Sequence, residues 1–538
     1  MVDTTLNDNE SKRNNNSDEA QPDDTHGQQS KKQNEKTDVP NLEDFAEPVS
    51  SVLRNLKSNA GRDININVYF SSNSQDDSKK GLNSTFTGDI VNSTIILGDD
   101  NQVLQQEYKS RFERNISTLS PASLEDAFHK LGLDQQVFFI TMCFFEGLKV
   151  SDYNQVYRNL LNTITGKVFD DSEKRDIDKS FYKPIPIVVG LEISQDYDQS
   201  KLAKVYKYKD SATVRRLLDF VFDNYSNLIL DYVTALHNLI ITQRDVQIRR
   251  FAVFALCELS KVDFNHVVQN AIKPLAASSK DTCRVSVAYF YEYLFDSKEN
   301  IKIEIRNRLI DLLDGWIKNS NWTFKWTAAA VCERLGLSQD EDIVSLSRKK
   351  LNILAGCDNM KVAGAVIHAL TTWSLKRDSL YTLNIIKLWV DEGSAGKIDV
   401  LNEYEVRCVV GIWSFWRILA VNRYLLKSTD VEKNEKPNNL VAIFRTSDGE
   451  VISLLTSIGI RSFEYGLGNE FLSNLASMLE YDSSDEIQSL IVAWIKSVYQ
   501  QLPSTKIYRK TISGMVKNYW ANSKNIGIKS VSIQLQRL

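Results

Sequence analysis

Lys325-Trp326-Thr327-Ala328-Ala329-Ala330-Val331-Cys332-Glu333-Arg334-Leu335 is the stretch on which the reading of the fold turns. Ala328, Val331 and Leu335 fall at i, i+3 and i+7, one face of a helix. The same face recurs as Ala252-Ala255-Leu259, Val287-Phe290-Leu294 and Ala363-Val366-Leu370, at successive spacings of 35, 41 and 35 residues. A basic residue opens the first three copies (Arg249, Arg284, Lys325), and Met360 stands there in the fourth. Between these faces lie second apolar-periodic segments, so each copy is a pair of helices. One pair cannot bury its apolar face alone, and neighbours must stack to complete the core.

Two helices per ~35–47 residues is the HEAT/armadillo period. The expected fold is therefore mainly α: a HEAT-like α-solenoid over residues 211–426, its regularity fading beyond residue 400 and broken by the polar run Lys427–Asn439. A C-terminal helical region with a basic end follows over 440–538. Composition agrees. The 538 residues include only 22 Gly and 9 Pro, too few for a loop-rich β protein, and the 65 Lys and Arg against 69 Asp and Glu leave a net charge of −4. The longest apolar run, Val137–Phe145, is far shorter than the ~18 residues that read as a membrane span. The N-terminus has no apolar signal region, which makes the expected location cytoplasmic and the expected partners free of membrane. The six cysteines are never closer than 25 residues and form no CxxC, so they read as small buried hydrophobes in a reducing compartment.

Ahead of the solenoid the pattern changes twice. Residues 1–50 carry twelve acidic and five basic residues, net −7, with Phe45 the one aromatic, and read as a disordered acidic tail. Residues 61–103 alternate β-branched and polar residues in two runs, Ile64–Phe70 and Ile90–Leu97, each opened by Gly and Asp. These read as a β-arc segment that either packs on the body or pairs with other copies through Ile90, Ile95 and Ile96, since exposed strand edges are adhesive. Residues 104–210 then read as helices, beginning with a polar one at Gln105–Asn115 and a helix start at Ser120-Pro121. Two strands follow, Pro184–Val189 and Lys204–Tyr208. Helices followed by a hairpin make a winged-helix-like order.

No constellation of catalysis is found. Gly396-Lys397 is followed by Ile398 where a phosphate loop needs a hydroxyl, and Asp391 stands where its first Gly belongs. No two of the five histidines are four apart, and Gly393-Ser394-Ala395-Gly396 fails the spacing of a nucleophile elbow. The expectation is a non-enzymatic protein with no catalytic residue, cofactor or metal, acting through protein partners. Its candidate partner-binding residues are the basic column Arg249, Arg284 and Lys325, and Trp413 and Trp416, three apart on one helix. The alternative is a HEAT-type nucleic-acid-binding protein or base-processing enzyme with a basic face. Residues 501–538 hold seven Lys and Arg, no Asp or Glu, and interleaved Tyr508, Tyr519 and Trp520. That composition suits a single strand, or equally an acidic partner such as the −7 tail.

The order of these pieces, more than any one motif, carries a resemblance. Gln136-Val137-Phe138-Phe139-Ile140-Thr141-Met142-Cys143-Phe144-Phe145-Glu146-Gly147 resembles the start of the helical region that follows the nucleotide-binding module in bacterial STAND-type signalling ATPases. Trp326-Thr327-Ala328-Ala329-Ala330 resembles a stretch of their HEAT-like repeats, and Gly88–Asn101 resembles short segments N-terminal in such proteins. The resemblance spans roughly 120–400 and implies a sensor or adaptor part, in bacterial signalling or phage defence, without the ATPase module.

Overall fold

The computed structural model describes residues 121–166, 189–195, 202–208, 211–296, 303–393, 402–427, 449–503 and 506–536. The acidic tail, the β-arc segment with Ile90, Ile95 and Ile96, and the polar helix expected at Gln105–Asn115 lie outside them. The described part is mainly α-helical, with one antiparallel strand pair.

Three helices come first: α1 (Pro121–His129), α2 (Leu133–Phe145) and α3 (Val150–Thr165). Every residue of α2 from Gln136 to Phe145 is buried, as an all-round apolar helix requires. Burying tyrosines around it obliges each hydroxyl to find an acceptor, and the α2 backbone supplies them. Tyr153 donates to the Phe138 carbonyl and Tyr208 to the Phe139 carbonyl, each at 2.7 Å, and Tyr157 to that of Asp134 at 3.1 Å.

Strand β1 (Val189–Gln195) pairs antiparallel with β2 (Leu202–Tyr208), Val189 opposite Tyr208 and Gln195 opposite Leu202. The second strand lies where the sequence pattern puts it. The described part of the first begins where the expected Pro184–Val189 strand ends, and residues 184–188 lie outside the described residues. Within the described strand, Val189-Gly190-Leu191-Glu192-Ile193-Ser194 supplies backbone donors and a period-two pattern.

Helices then follow without further strands among the described residues: α4 (Ser211–Asn224), α5 (Ser226–Thr242) and α6 (Val246–Ser260). After α6 come α7 (Phe264–Val267), a π turn over Val268–Ile272, and α8 (Lys273–Ala276). The π turn precedes Pro274, whose missing N–H breaks the ordinary ladder at that point. The succession continues with α9 (Asp281–Asp296), α10 (Ile303–Lys318), α11 (Trp322–Leu335), α12 (Glu341–Ala355), α13 (Met360–Lys376), α14 (Ser379–Glu392) and the long α15 (Glu403–Lys427). Helices α6, α9, α11, α13 and α15 pack successively side by side as a first-helix row, with the second helices of the pairs laid against them. All twelve residues of the repeat columns are buried, none more than 6 % exposed. Polar caps start the helices at the joints: Asp245, Asn321, Asp340, Asn359 and Asp378 each accept a backbone N–H of their helix's first turn.

Helices α16 (Gly449–Glu464), α17 (Gly468–Tyr481), α18 (Asp485–Gln501) and α19 (Lys506–Gly514), a π turn over Met515–Trp520, and α20 (Ile526–Leu535) complete the described chain. An aromatic cluster joins them to α15: the Trp416 and Trp494 rings stack 6.1 Å apart, with Phe415 and Phe471 edge-on. The buried core is one continuous cluster from Phe128 to Leu535, through Phe145 against Phe251 and Tyr232 bonded to Thr141.

Leu335, 2 % exposed, lies in the third column of the repeat. Leu335→Ala is expected to lose about 2–5 kcal/mol in a denaturant titration, the range for emptying a packed leucine site. A loss below about 0.5 kcal/mol, the level of an ordinary surface change, would contradict the stacking of α11 on its neighbours.

Candidate functional site: the N-terminal edge of the first-helix row

The basic column lies at the N-terminal ends of α6, α9 and α11, and the structure turns most of it inward. Arg249 donates from Nη1 to the Gln243 and Arg244 carbonyls, both at 3.1 Å. Arg284 donates from Nη1 to the Ser278 carbonyl at 2.6 Å and from Nη2 to the Asp281 carboxylate. Each arginine reaches back six residues, to carbonyls of the joint between its helix and the one before. Those carbonyls have no partner within a helix ladder, which is the physical reason for the inward turn. Arg284 is only 1 % exposed and presents nothing to a partner directly. Lys325 is half-buried, its ammonium 3.1 Å from the Cys357 sulfur.

What the edge does expose is aromatic. Trp322 and Trp326, one turn apart on α11, are both half-buried, packed on the core with part of each ring at the surface. The Arg284 guanidinium lies behind them, 5.0 Å from the Trp322 ring centre and 4.3 Å from that of Trp326. The exposed ammonium of Lys361, at the start of α13, lies 4.2 Å from the Trp322 ring. A buried guanidinium under two indoles fixes their planes, and each cation–ring contact adds about 0.5–2 kcal/mol depending on its desolvation.

Trp413 and Trp416 are corrected as surface anchors: they are 4 % and 1 % exposed, inside the core. Trp416 is held there by the cluster that attaches the C-terminal helices, so its large apolar area serves cohesion.

Two polar seams cross the row further along the helices, and neither was singled out from the sequence. In the first, Tyr289 of α9 accepts from Arg250 of α6 at 3.4 Å and from Arg334 of α11 at 3.1 Å. Both guanidiniums lie against its ring, and Arg334 is 3.9 Å from the Glu292 carboxylate. In the second, Glu333 of α11 accepts from Thr372 at 3.1 Å and pairs with His368 Nδ1 at 2.8 Å, both on α13. Burial alone would raise the Glu333 carboxyl. The charge and hydrogen bond of His368 overcome it, helped by Arg334 and Thr372, and hold it down to about 2.

The sign of the pH dependence follows. A carboxyl lowered from 4.5 in the folded chain contributes stability that is present above about pH 4.5 and is lost as the pH falls toward 2. The denaturation midpoint of the wild type is expected to fall more steeply over that window than that of Glu333→Gln. Equal slopes would contradict the pairing.

The cysteines match their reading as hydrophobes. All six are free thiols, five of them buried, and burial pushes the thiols of Cys143, Cys332 and Cys408 up to about 12. Among the described residues there is no group of three or more His, Cys, Asp and Glu that could hold a metal ion, and no helix is long and apolar enough to cross a membrane.

No family model matches the chain, and no curated protein matches it. Among solved structures, one engineered protein is similar at 11 % identity over 77 % of this chain and 98 % of its own, with a TM-score of 0.25. A second engineered protein is similar at 10 % identity over 49 % and 98 %, with a TM-score of 0.21.

Proposed function

We propose that the chain is a non-enzymatic helical-repeat scaffold or sensor that holds a protein partner at the N-terminal edge of its first-helix row. The observation that supports this is the Trp322–Trp326 pair, half-buried with part of each ring at the surface, backed by Arg284 and flanked by the exposed Lys361. Immobilised tryptophans lose little entropy when a partner covers them, and such residues dominate the energetics of protein interfaces. The partner they suit presents an apolar or aromatic side chain to the indoles and a carboxylate to Lys361. The resemblance to the sensor regions of STAND-type ATPases adds the biological setting to the proposal, bacterial signalling or phage defence in the cytoplasm. Pairing of residues 61–103 between copies, through Ile90, Ile95 and Ile96, would present several such edges together and raise their effective concentration.

The inward turn of Arg249 and Arg284 favours this reading over nucleic acid, because a basic column spent on carbonyls leaves little charge for phosphates. The test is selection of random peptides against the wild type and against Trp326→Ala/Lys361→Glu. Enrichment of sequences pairing an aromatic with acidic residues on the wild type alone is expected. Enrichment of the same sequences on both proteins would sink the assignment of the edge.

A further inference from the structure

Five of the six thiols are buried, and Cys357 is the one that reaches the surface, half-buried in the joint between α12 and α13. The joint has little freedom. The Cys357 N–H donates to the Leu354 carbonyl at 3.1 Å, the Asn359 N–H donates to the Cys357 carbonyl at 2.7 Å, and the Asn359 side chain caps α13. That backbone holds the sulfur against Lys325, 32 residues away in the chain and in the first turn of α11. Lys325 Nζ donates to Cys357 Sγ at 3.1 Å, and both side chains are half-buried, open enough for a small oxidant to enter.

An amine this close changes what oxidation of the thiol produces. Hydrogen peroxide converts an accessible thiol to a sulfenic acid, which condenses with a nucleophile held beside it. Cys143, Cys257, Cys283, Cys332 and Cys408 are enclosed in the core, so no second accessible thiol stands ready. Lys325 Nζ already lies against the sulfur.

We propose that Lys325 and Cys357 form a redox-closed crosslink site, in which peroxide joins Nζ to Sγ as a sulfenamide. In the first step the sulfur gives two electrons to the peroxide O–O bond, leaving Cys357 as the sulfenic acid and releasing water. In the second, Nζ gives its proton to solvent and attacks Sγ. The N–S bond forms, the S–O bond breaks, and the hydroxyl leaves as a second water. One thiol, one ammonium and one peroxide thus yield the sulfenamide, two waters and a proton. A dithiol reductant reverses the link by attacking Sγ and expelling the amine. The bond would tie α11, between Trp322 and Trp326, to the α12–α13 joint, four residues before Lys361. It needs no bound partner, so it stands or falls apart from the proposed partner edge.

Peroxide treatment of the full-length chain, alkylation of the remaining thiols in denaturant, and peptide mass spectrometry without reductant test it. The expected product is a linked pair of peptides, one holding Lys325 and the other Cys357, lighter than their sum by two hydrogens and separated by dithiothreitol. Cys332 in that pair carries the alkyl group, which distinguishes the link from a Cys332–Cys357 disulfide. Lys325→Arg is expected to lose the pair and to carry Cys357 on to the sulfinic acid, because no amine then intercepts the sulfenic acid. Cys357 ending as the same sulfinic acid, or the same disulfide between copies, in both proteins would overturn the proposal. A link from Cys357 to any other lysine would also overturn it, as would a pair heavier by one oxygen, which belongs to an N–O–S bridge.

Discussion

Trp373→Ala is expected to lower the stability of the chain by about 3–5 kcal/mol, the range for removing a fully buried tryptophan. Trp373 is 0 % exposed on α13 and donates from its indole N–H to the Glu333 carbonyl at 2.8 Å, at the C-terminal end of α11. The ring lies directly against Gly336, which follows α11. A Cβ on Gly336 would run into the indole. The backbone there has an ordinary φ of −68°, so the glycine serves close approach rather than an unusual turn. Gly336→Val is accordingly expected to cost about 1–3 kcal/mol by overpacking. Combining it with Trp373→Ala should cost less than the sum, because the valine then enters space the indole has left. Strict additivity in chemical denaturation would contradict the contact.

The second large effect is expected at Arg334, in a seam that binds three consecutive members of the row. Its side chain is 8 % exposed, faces Glu292 at 3.9 Å, and shares Tyr289 with Arg250. Arg334→Leu removes the cation and leaves a carboxylate that is itself only 14 % exposed, a change that costs about 3–5 kcal/mol when one partner of a buried pair is deleted. Arg334→Lys is expected to recover only part of the loss. An ammonium cannot lie flat on the Tyr289 ring while also donating to its hydroxyl and facing Glu292. Full recovery by lysine in a thermal or urea melt would show that charge alone, without the planar geometry, accounts for the seam.

The repeat was legible in the sequence because burial imposes it: Ala328, Val331 and Leu335 and their counterparts occupy a position that only apolar side chains tolerate. The seams were written there as well, in a form that one-residue columns do not display. Glu333 meets His368 at a separation of 35, the local repeat length, and Thr372 at 39, one turn further. Arg250 meets Tyr289 at 39 and Arg334 meets Tyr289 at 45, again one repeat plus one turn. Pairing each polar residue with positions one repeat and one repeat plus four away would have found them. The basic column misled for another reason. Its residue types suit a surface, but the orphan carbonyls of a helix joint attract the same side chains, and periodicity records that a cation is needed without recording which acceptor it meets. Trp413 and Trp416 illustrate the same limit, since one turn of spacing places two indoles on one face and leaves open whether another helix covers it. Trp322 and Trp326 share a comparable spacing, and α13 leaves them only half-buried.

The claim that the Trp322–Trp326 edge receives a protein partner is tested most directly by hydrogen-exchange footprinting of the full-length chain with the acidic, aromatic peptide selected on it. The account predicts slowed exchange in residues 321–327 and 359–364, with quenching of tryptophan fluorescence that Trp322→Phe/Trp326→Phe reduces. Protection confined to other helices, with that segment unchanged, would contradict it.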